Sequence, residues 1–524
     1  MKLKSIFATV WFSGSALLSL QAQDTKKAPE NWFNLDPKTD NVRGVSTEKT
    51  YQELLKKKKS RTVIVAVIDS GVDITHEDLQ GKLWVNKKEI AGNNKDDDKN
   101  GFIDDVNGWS FLGGKDGKNV AQDSYELTRE YVRLSKKFKD KADEKDAEYA
   151  YYQSIKKTFE EKRKEKEGEK VQLQQMYDAV QTVRKELNGK TLTLENVKAL
   201  QSSDAKVTEA KNIVNYLYMV ASPEELEEYY EKGIKNALEY GYNPDFDPRS
   251  IVGDDPKKLR EKGYGNNDVK GPDAFHGTHV AGIIAANRDN NLGIKGIAQN
   301  VLIMPVRAVP DGDERDKDIA NAIYYAVDNG AHIINMSFGK GYSPDKKFVD
   351  EAVKYAESKG VLLIHAAGND AKNLEVESNF PNRNYSDNGK EASNWLEIGA
   401  SGWQANDEQF VASFSNYGKS KVDVFAPGVD IYSTVPDKNT YKNASGTSMA
   451  APATAGVAAL LMSYYPKLTA KEVKEILMKS SIKYTQKINK PGEKGLNATM
   501  SDLCISGGII NAYEAVKMAE KMSK

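Results

Sequence analysis

The chain has 524 residues, 39% of them hydrophobic, with 75 Lys and Arg against 76 Asp and Glu and a single Cys. A formal charge of −1 argues against a nucleic-acid surface, which shows a strong basic excess. One cysteine excludes a disulfide scaffold, and a mean hydropathy of −0.63 excludes a polytopic membrane protein.

The N-terminus opens with Lys2 and Lys4, continues with an apolar run from Ile6 to Leu20 and reaches the small residue Ala22. This pattern predicts a secretory signal peptide over residues 1–22, hence an exported, periplasmic or secreted protein without stable membrane insertion after cleavage. Residues 23–62 form an N-terminal segment in which 51–59 has helical character. Apolar runs at 63–68, 301–309, 331–336, 361–365, 396–400 and 421–425 read as strands. Helical patterns between them, such as 318–329 and 346–359, close at Gly330 and Gly360. Continuous apolar strands alternating with helices predict an α/β core whose parallel sheet is covered on both faces. The last helix is expected to begin at Thr469, with Glu472 three residues on as a capping box.

The segment 115–265 differs. In residues 126–170, 26 of 45 residues are charged, 14 basic and 12 acidic. Leu127, Tyr131, Leu134 and Phe138, then Ile155 and Phe159, then Leu173, Met176, Val180, Val183 and Leu187 recur at steps of three and four. The spacing predicts an all-helical insertion, with Gly168 turning the chain between two long antiparallel helices and Asn188-Gly189 ending the second. Ser222-Pro223-Glu224-Glu225 starts another helix. The core is thus read as 63–114 and 266–524.

Three segments carry chemistry. Ser448 follows a Gly-containing turn and opens a helix, where backbone N–H groups and the helix dipole favour developing negative charge. His276, in His276-Gly277-Thr278-His279, stands at the mouth of another helix as a candidate base. Asp69 ends the first strand, where open α/β sheets place their sites, as a candidate orienting carboxylate. A zinc pair of His276 and His279 lacks a third ligand and a Glu after the first His. His279, His76, His332 and His365 read as packed, hydrogen-bonded residues, and Cys504 as a small buried hydrophobe.

Asp69-Ser70-Gly71-Val72-Asp73, His276 to Gly282 and Gly446-Thr447-Ser448-Met449-Ala450 resemble the three signatures of subtilisin-like serine proteases (subtilases), in that family's Asp, His, Ser order. Further likeness lies at residues 335–339, 366–369, 413–418 and 426–428. The resemblance implies a subtilisin-like fold and a serine endopeptidase acting through an acyl-enzyme, needing no cofactor for chemistry and taking protein or peptide substrates. Ser448 is then the nucleophile, His276 the general base and acid, and Asp69 its orienting partner. Asn369, with the Ser448 N–H, supplies the oxyanion hole. Ser337, Phe338 and Gly339 pair with the substrate backbone. Together with Ala366, Ala367 and Gly368 they line the pocket for the residue before the scissile bond, which this reading makes apolar or permissive.

Three further expectations accompany the resemblance. Residues 23–62 stand where the family carries a pro-region, as a short one. The insertion, entering just before His276, is expected to serve as a lid, exosite or partner-binding arm. The alternative to an enzyme is a protease-derived binding or scaffold protein acting through that insertion. Finally, Asp96, Asp98, Asn100 and Asp104 occupy positions 1, 3, 5 and 9 of an EF-hand-like loop with Gly101 at position 6. They predict a structural calcium site, although Asn107 replaces the bidentate Glu at position 12.

Overall fold

The computed structural model describes residues 28–139, 146–220, 222–404 and 409–523. The predicted signal peptide lies outside them. Two compact units are present: residues 28–122 with 248–523, and Asp123–Asp247.

In the first unit, strands β1 (Val63–Asp69), β2 (Trp109–Ser110), β3 (Val301–Arg307), β4 (Ile333–Met336), β5 (Leu362–Ala366), β6 (Trp395–Ser401), β7 (Val424–Pro427), β8 (Ile431–Val435), β9 (Thr440–Ala444), β10 (Ile482–Lys483) and β11 (Gly508–Ile509) follow one another. Nine of these form one sheet in the order β10-β11-β7-β6-β5-β4-β1-β3-β2, parallel apart from the β10–β11 pair, while β8 and β9 form a hairpin. The continuous apolar run of β1 is explained by burial on both faces. Val63, Val65 and Val67 pack with helices Phe275–Ala285 and Thr447–Tyr464, and Ala66 and Ile68 pack with helices Asp316–Asp328 and Lys346–Ser358. Strand β1 lies between β3 and β4, so the chain's winding reverses there and a crevice opens beyond its C-terminal end. Asp69 is the last residue of that strand.

From residue 28 on, the N-terminal segment packs into this unit. Trp32 and Phe33 are fully buried, and Trp32 Nε1 donates to Asp430 O at 3.2 Å. Asn34 Nδ2 donates to Lys295 O at 2.7 Å, Ala512 N to Val45 O at 2.7 Å and Arg61 N to Ser463 O at 2.9 Å. The helix expected at 51–59 begins earlier, at Thr47, and runs on as a π-helical turn to Leu55. Helix Ala470–Lys479 carries the capping box of Thr469 and Glu472, but it is not the last: Met500–Leu503 and Ala512–Met522 follow it.

The helical unit is narrower than the sequence suggests, spanning Asp123–Asp247 instead of 115–265. Its flanks belong to the α/β unit because polar groups tie them there. Arg307 donates to Val120 O, and Asp311 N donates to Ala121 O at 2.9 Å. Arg249 bridges Asp254 and Asp318 at 2.6 Å each, Lys317 reaches Asp254 at 2.6 Å, and Tyr264 Oη donates to Asp318 at 2.8 Å. Within the helical unit, Gly168 does not turn the chain. It sits inside a single helix of 40 residues, Ala147–Glu186, about 60 Å long. That helix ends at the predicted place, with Asn188 and Gly189 both at positive φ. Its C-terminal half packs Leu173, Val180 and Val183 against Val214, Leu217, Leu226 and Tyr230. Ser222 caps the Pro223–Glu228 helix by accepting from Glu225 N.

Candidate active site

Asp69 is fixed before it meets any partner. Its carbonyl accepts from Ala308 N and Val309 N, and its Oδ1 accepts from Ser70 N at 2.8 Å. Arg307, nearly fully buried at the end of β3, donates from Nε to Ser70 O at 2.9 Å and from a guanidinium nitrogen to Val120 O. Burial brings the Arg307 guanidinium down to about 10.

His276 Nδ1 lies 2.7 Å from the same Asp69 Oδ1. Two glycines permit this approach. Gly71 holds φ of 133°, and a Cβ on Gly277 would come within 2.2 Å of Gly71 O and 3.1 Å of Asp69 Cβ. Burial works against the charged imidazole, but the Asp69 carboxylate, by charge and hydrogen bond, outweighs it and holds His276 above its ordinary value of 6.5. His279, one turn on, is unlike it. Its Nε2 faces Ile431 O at 3.0 Å and Lys442 O at 3.1 Å, and burial lowers it to about 4, so it is a neutral donor to the β8–β9 hairpin. His76 and His332 are likewise hydrogen-bonded to backbone, at Thr440 O and Ile64 N. Buried His365 meets Glu397 at 2.9 Å. Cys504 is buried.

Ser448 stands in the first turn of the 18-residue helix Thr447–Tyr464. Its Oγ donates to Ser337 O at 3.1 Å, and no hydrogen bond joins it to His276 among the described residues. Ser337 Oγ returns a bond to Ser448 O at 2.9 Å. Pro452 makes that carbonyl available, because the residue four positions along the helix has no N–H to give it. The nucleophile and the substrate-pairing segment are thereby tied to each other.

Asn369 completes the constellation. Its Oδ1 accepts from Thr447 N at 2.8 Å and Thr447 Oγ1 at 2.9 Å, which fixes the amide. Asn369 Nδ2 and Ser448 N lie 3.4 and 3.5 Å from one point, the place a Cβ on Gly446 would take, so glycine keeps that space open. Asn416, whose role sequence reasoning missed, braces this loop: its Oδ1 accepts from Asp370 N and Lys372 N, and its Nδ2 donates to Ala367 O. Thr447 was also missed. Both sit inside segments whose resemblance was legible, but their role depends on partners more than 30 residues distant in sequence.

The acidic loop departs from the EF-hand reading. Asp96 and Asp98 come together with Glu89, each offering a ligand oxygen within 4.8 Å of the others. Asp104 is turned to the loop backbone, accepting from Gly92 N, Asn93 N and Asn94 N, and Asn100 Oδ1 accepts from Phe102 N at 2.7 Å. Asp96 and Asp98 also accept from the loop, from Asn100 N, Gly101 N and Asn86 Nδ2, so it is the clustering with Glu89 that sets them apart from Asn100 and Asp104. Glu89 is buried and its Oε2 has no protein donor. Three hard carboxylates with one orphaned oxygen fit a calcium ion.

A family model described as the subtilase family matches residues 60–500. The chain is 41% identical over 231 residues to a thermophilic serine proteinase of Bacillus sp. (strain AK1), covering 44% of this chain and 51% of that one. It is 42% identical over 189 residues to thermitase of Thermoactinomyces vulgaris, covering 36% and 61%. Over 262 residues it is 33% identical to an extracellular protease of Xanthomonas campestris pv. campestris, covering 47% and 40%. The chain thus spans about half the length of these relatives. No helix of the described residues is long and apolar enough to cross a membrane.

Proposed function

The chain belongs to the subtilase family, and from that premise we propose that it is an exported serine endopeptidase cleaving protein or peptide substrates through Asp69, His276 and Ser448. The observation that carries the reading is the 2.7 Å contact of His276 Nδ1 with Asp69 at the sheet's switch point. It commits Nδ1–H to the carboxylate and leaves Nε2 as the basic nitrogen. Substrate binding draws Ser448 Oγ away from Ser337 O toward His276. Oγ then attacks the scissile carbonyl while Nε2 takes its proton, and the oxyanion forms between Ser448 N and Asn369 Nδ2. The C–N bond breaks as the imidazolium returns the proton to the leaving amine. Water, deprotonated by the same nitrogen, cleaves the ester. Ser337, Phe338 and Gly339 pair with the substrate backbone, and Ala366, Ala367 and Gly368 face them across the cleft. The extracellular protease of Xanthomonas supports export.

Glu89, Asp96 and Asp98 would hold a calcium ion that balances their charge and stiffens the loop, and the chemistry needs no cofactor. Glu89→Gln is expected to abolish a calcium-dependent rise in melting temperature that Asp104→Asn retains. A melting temperature indifferent to both calcium and chelator overturns the metal.

The enzyme reading is tested by treating the full chain with a serine-directed phosphonate in the presence of calcium. Labelling and peptide hydrolysis are expected, both lost in Ser448→Ala. An intact protein that neither labels nor hydrolyses would be the binding or scaffold protein instead.

A further inference from the structure

Arg307 ends strand β3 directly opposite Asp69 in the register of the sheet, and it lies in none of the motifs that resemble the family. The side chain is buried and no carboxylate hydrogen-bonds to it among the described residues. A buried cation without an ion pair is a cost to the fold. Its donors go instead to three separate segments: Nε to Ser70 O at 2.9 Å, Nη1 to Ser110 Oγ at 3.3 Å and Nη2 to Val120 O. A fourth segment closes over the guanidinium. Gly271, at φ 63°, lies so near that a Cβ there would fall 2.1 Å from Nε.

Two of these segments carry the catalytic pair. Ser70 follows Asp69, and its N–H donates to Asp69 Oδ1 at 2.8 Å, so the carboxylate turns with the Ser70 backbone. Gly271 is separated from His276 by residues 272–275 alone. The two segments also meet each other: Val72 N donates to Val269 O at 2.9 Å, and a Cβ on Gly71 would fall 2.1 Å from Lys270 O. Beyond His276 a second tie follows, with Asp73 N donating to Thr278 Oγ1 at 2.8 Å. We infer that Arg307 is a positioning residue for the Asp69–His276 pair, holding the turn after the aspartate and the segment leading to the histidine in one arrangement. It acts through backbone and not on a reacting atom. The planar guanidinium suits this task because its donors diverge in a fixed fork and hold several segments at once, whereas an ammonium on a flexible stem presents no such fork. The inference rests on the endopeptidase reading and adds to it the means by which two residues 207 apart in sequence meet at 2.7 Å.

The test uses the full chain with Arg307→Gln, Arg307→Lys and Gly271→Ala, the last of which presses a methyl group onto Nε and leaves the arginine in place. Three quantities are read: kcat and KM on one chromogenic peptide, the melting temperature, and the low-field proton resonance of the His276–Asp69 hydrogen bond, assigned by its loss in His276→Ala. A misplacement of about 1 Å costs on the order of 10²-fold in rate. Arg307→Gln and Gly271→Ala should therefore each lower kcat by about 10²-fold with KM within about threefold of native, and should shift or broaden the resonance. Arg307→Lys should recover part of the loss, and with Gly271→Ala it carries the comparison if the glutamine variant does not fold. A residue of stability alone would lower the melting temperature and leave the folded enzyme unchanged. Folded variants with kcat within about threefold of native and an unmoved resonance therefore overturn the inference, as does failure of all three variants to fold. A native chain that neither labels with the phosphonate nor cleaves peptide overturns the endopeptidase reading. The resonance reports on the pair without turnover, so it then decides the positioning role by itself.

Discussion

Asn369→Ala separates transition-state stabilisation from structure. The side chain has two jobs: Oδ1 accepts from Thr447 N and Oγ1, and Nδ2 faces the space beside Ser448 N. Losing one of two oxyanion donors costs about 10²–10³-fold in kcat, or about 2.7–4 kcal/mol. KM should change little, because the bond strengthens only as charge develops on the substrate oxygen. The same substitution strands the polar groups of fully buried Thr447, at a cost of about 1–3 kcal/mol in stability. Asn369→Asp divides the two effects. It keeps an acceptor for Thr447 and replaces the donor with an oxygen, so kcat should fall at least as far while the melting temperature stays nearer the native one. Steady-state kinetics on a chromogenic peptide, with thermal melts of both variants, provide the comparison. A fall in kcat of less than tenfold in both folded variants, or a loss confined to KM, refutes the assignment.

The pH profile follows from Asp69. The base must be neutral to accept the Ser448 proton, and Asp69 stabilises its protonated form, so kcat/KM should rise with pH through a midpoint above 6.5. Asp69→Asn should lower kcat about 10⁴-fold and move that midpoint down, since burial is then opposed by the charge of Asp273 alone; an unmoved midpoint contradicts the pairing. Trp32→Ala should cost about 3–5 kcal/mol in a chemical denaturation curve, because Trp32 is fully buried in the catalytic unit. A loss below 1 kcal/mol, on the order of a surface change, would return residues 28–62 to the status of a removable segment.

What the sequence discloses and what it conceals divide along locality. The run Val63–Asp69 is apolar at nearly every position because both faces of β1 are buried, and that can be read from one strand. Ser448 and His276 sit in short motifs whose neighbours explain themselves locally, with Gly277 admitting the strand end and Pro452 releasing a carbonyl. Glu89 escaped because it lies seven residues ahead of the acidic motif it joins, whereas Asp104 fits the linear pattern but serves the loop backbone. Gly168 looked like a turn, but a glycine inside a helix costs only about 1 kcal/mol, which 40 residues of continuous helix absorb. The polar-looking segment 23–62 hid Trp32 and Phe33, whose partners Asp430 and Val45 are fixed only by the fold.

Rapid-quench mass spectrometry of the full chain turning over an activated peptide ester examines the nucleophile itself. The expected result is a transient adduct of the acyl mass on the peptide containing Ser448, discharged at the rate of kcat and absent from Ser448→Ala. Turnover that persists undiminished in Ser448→Ala, or an adduct carried by another residue such as Cys504, would contradict acyl transfer through Ser448.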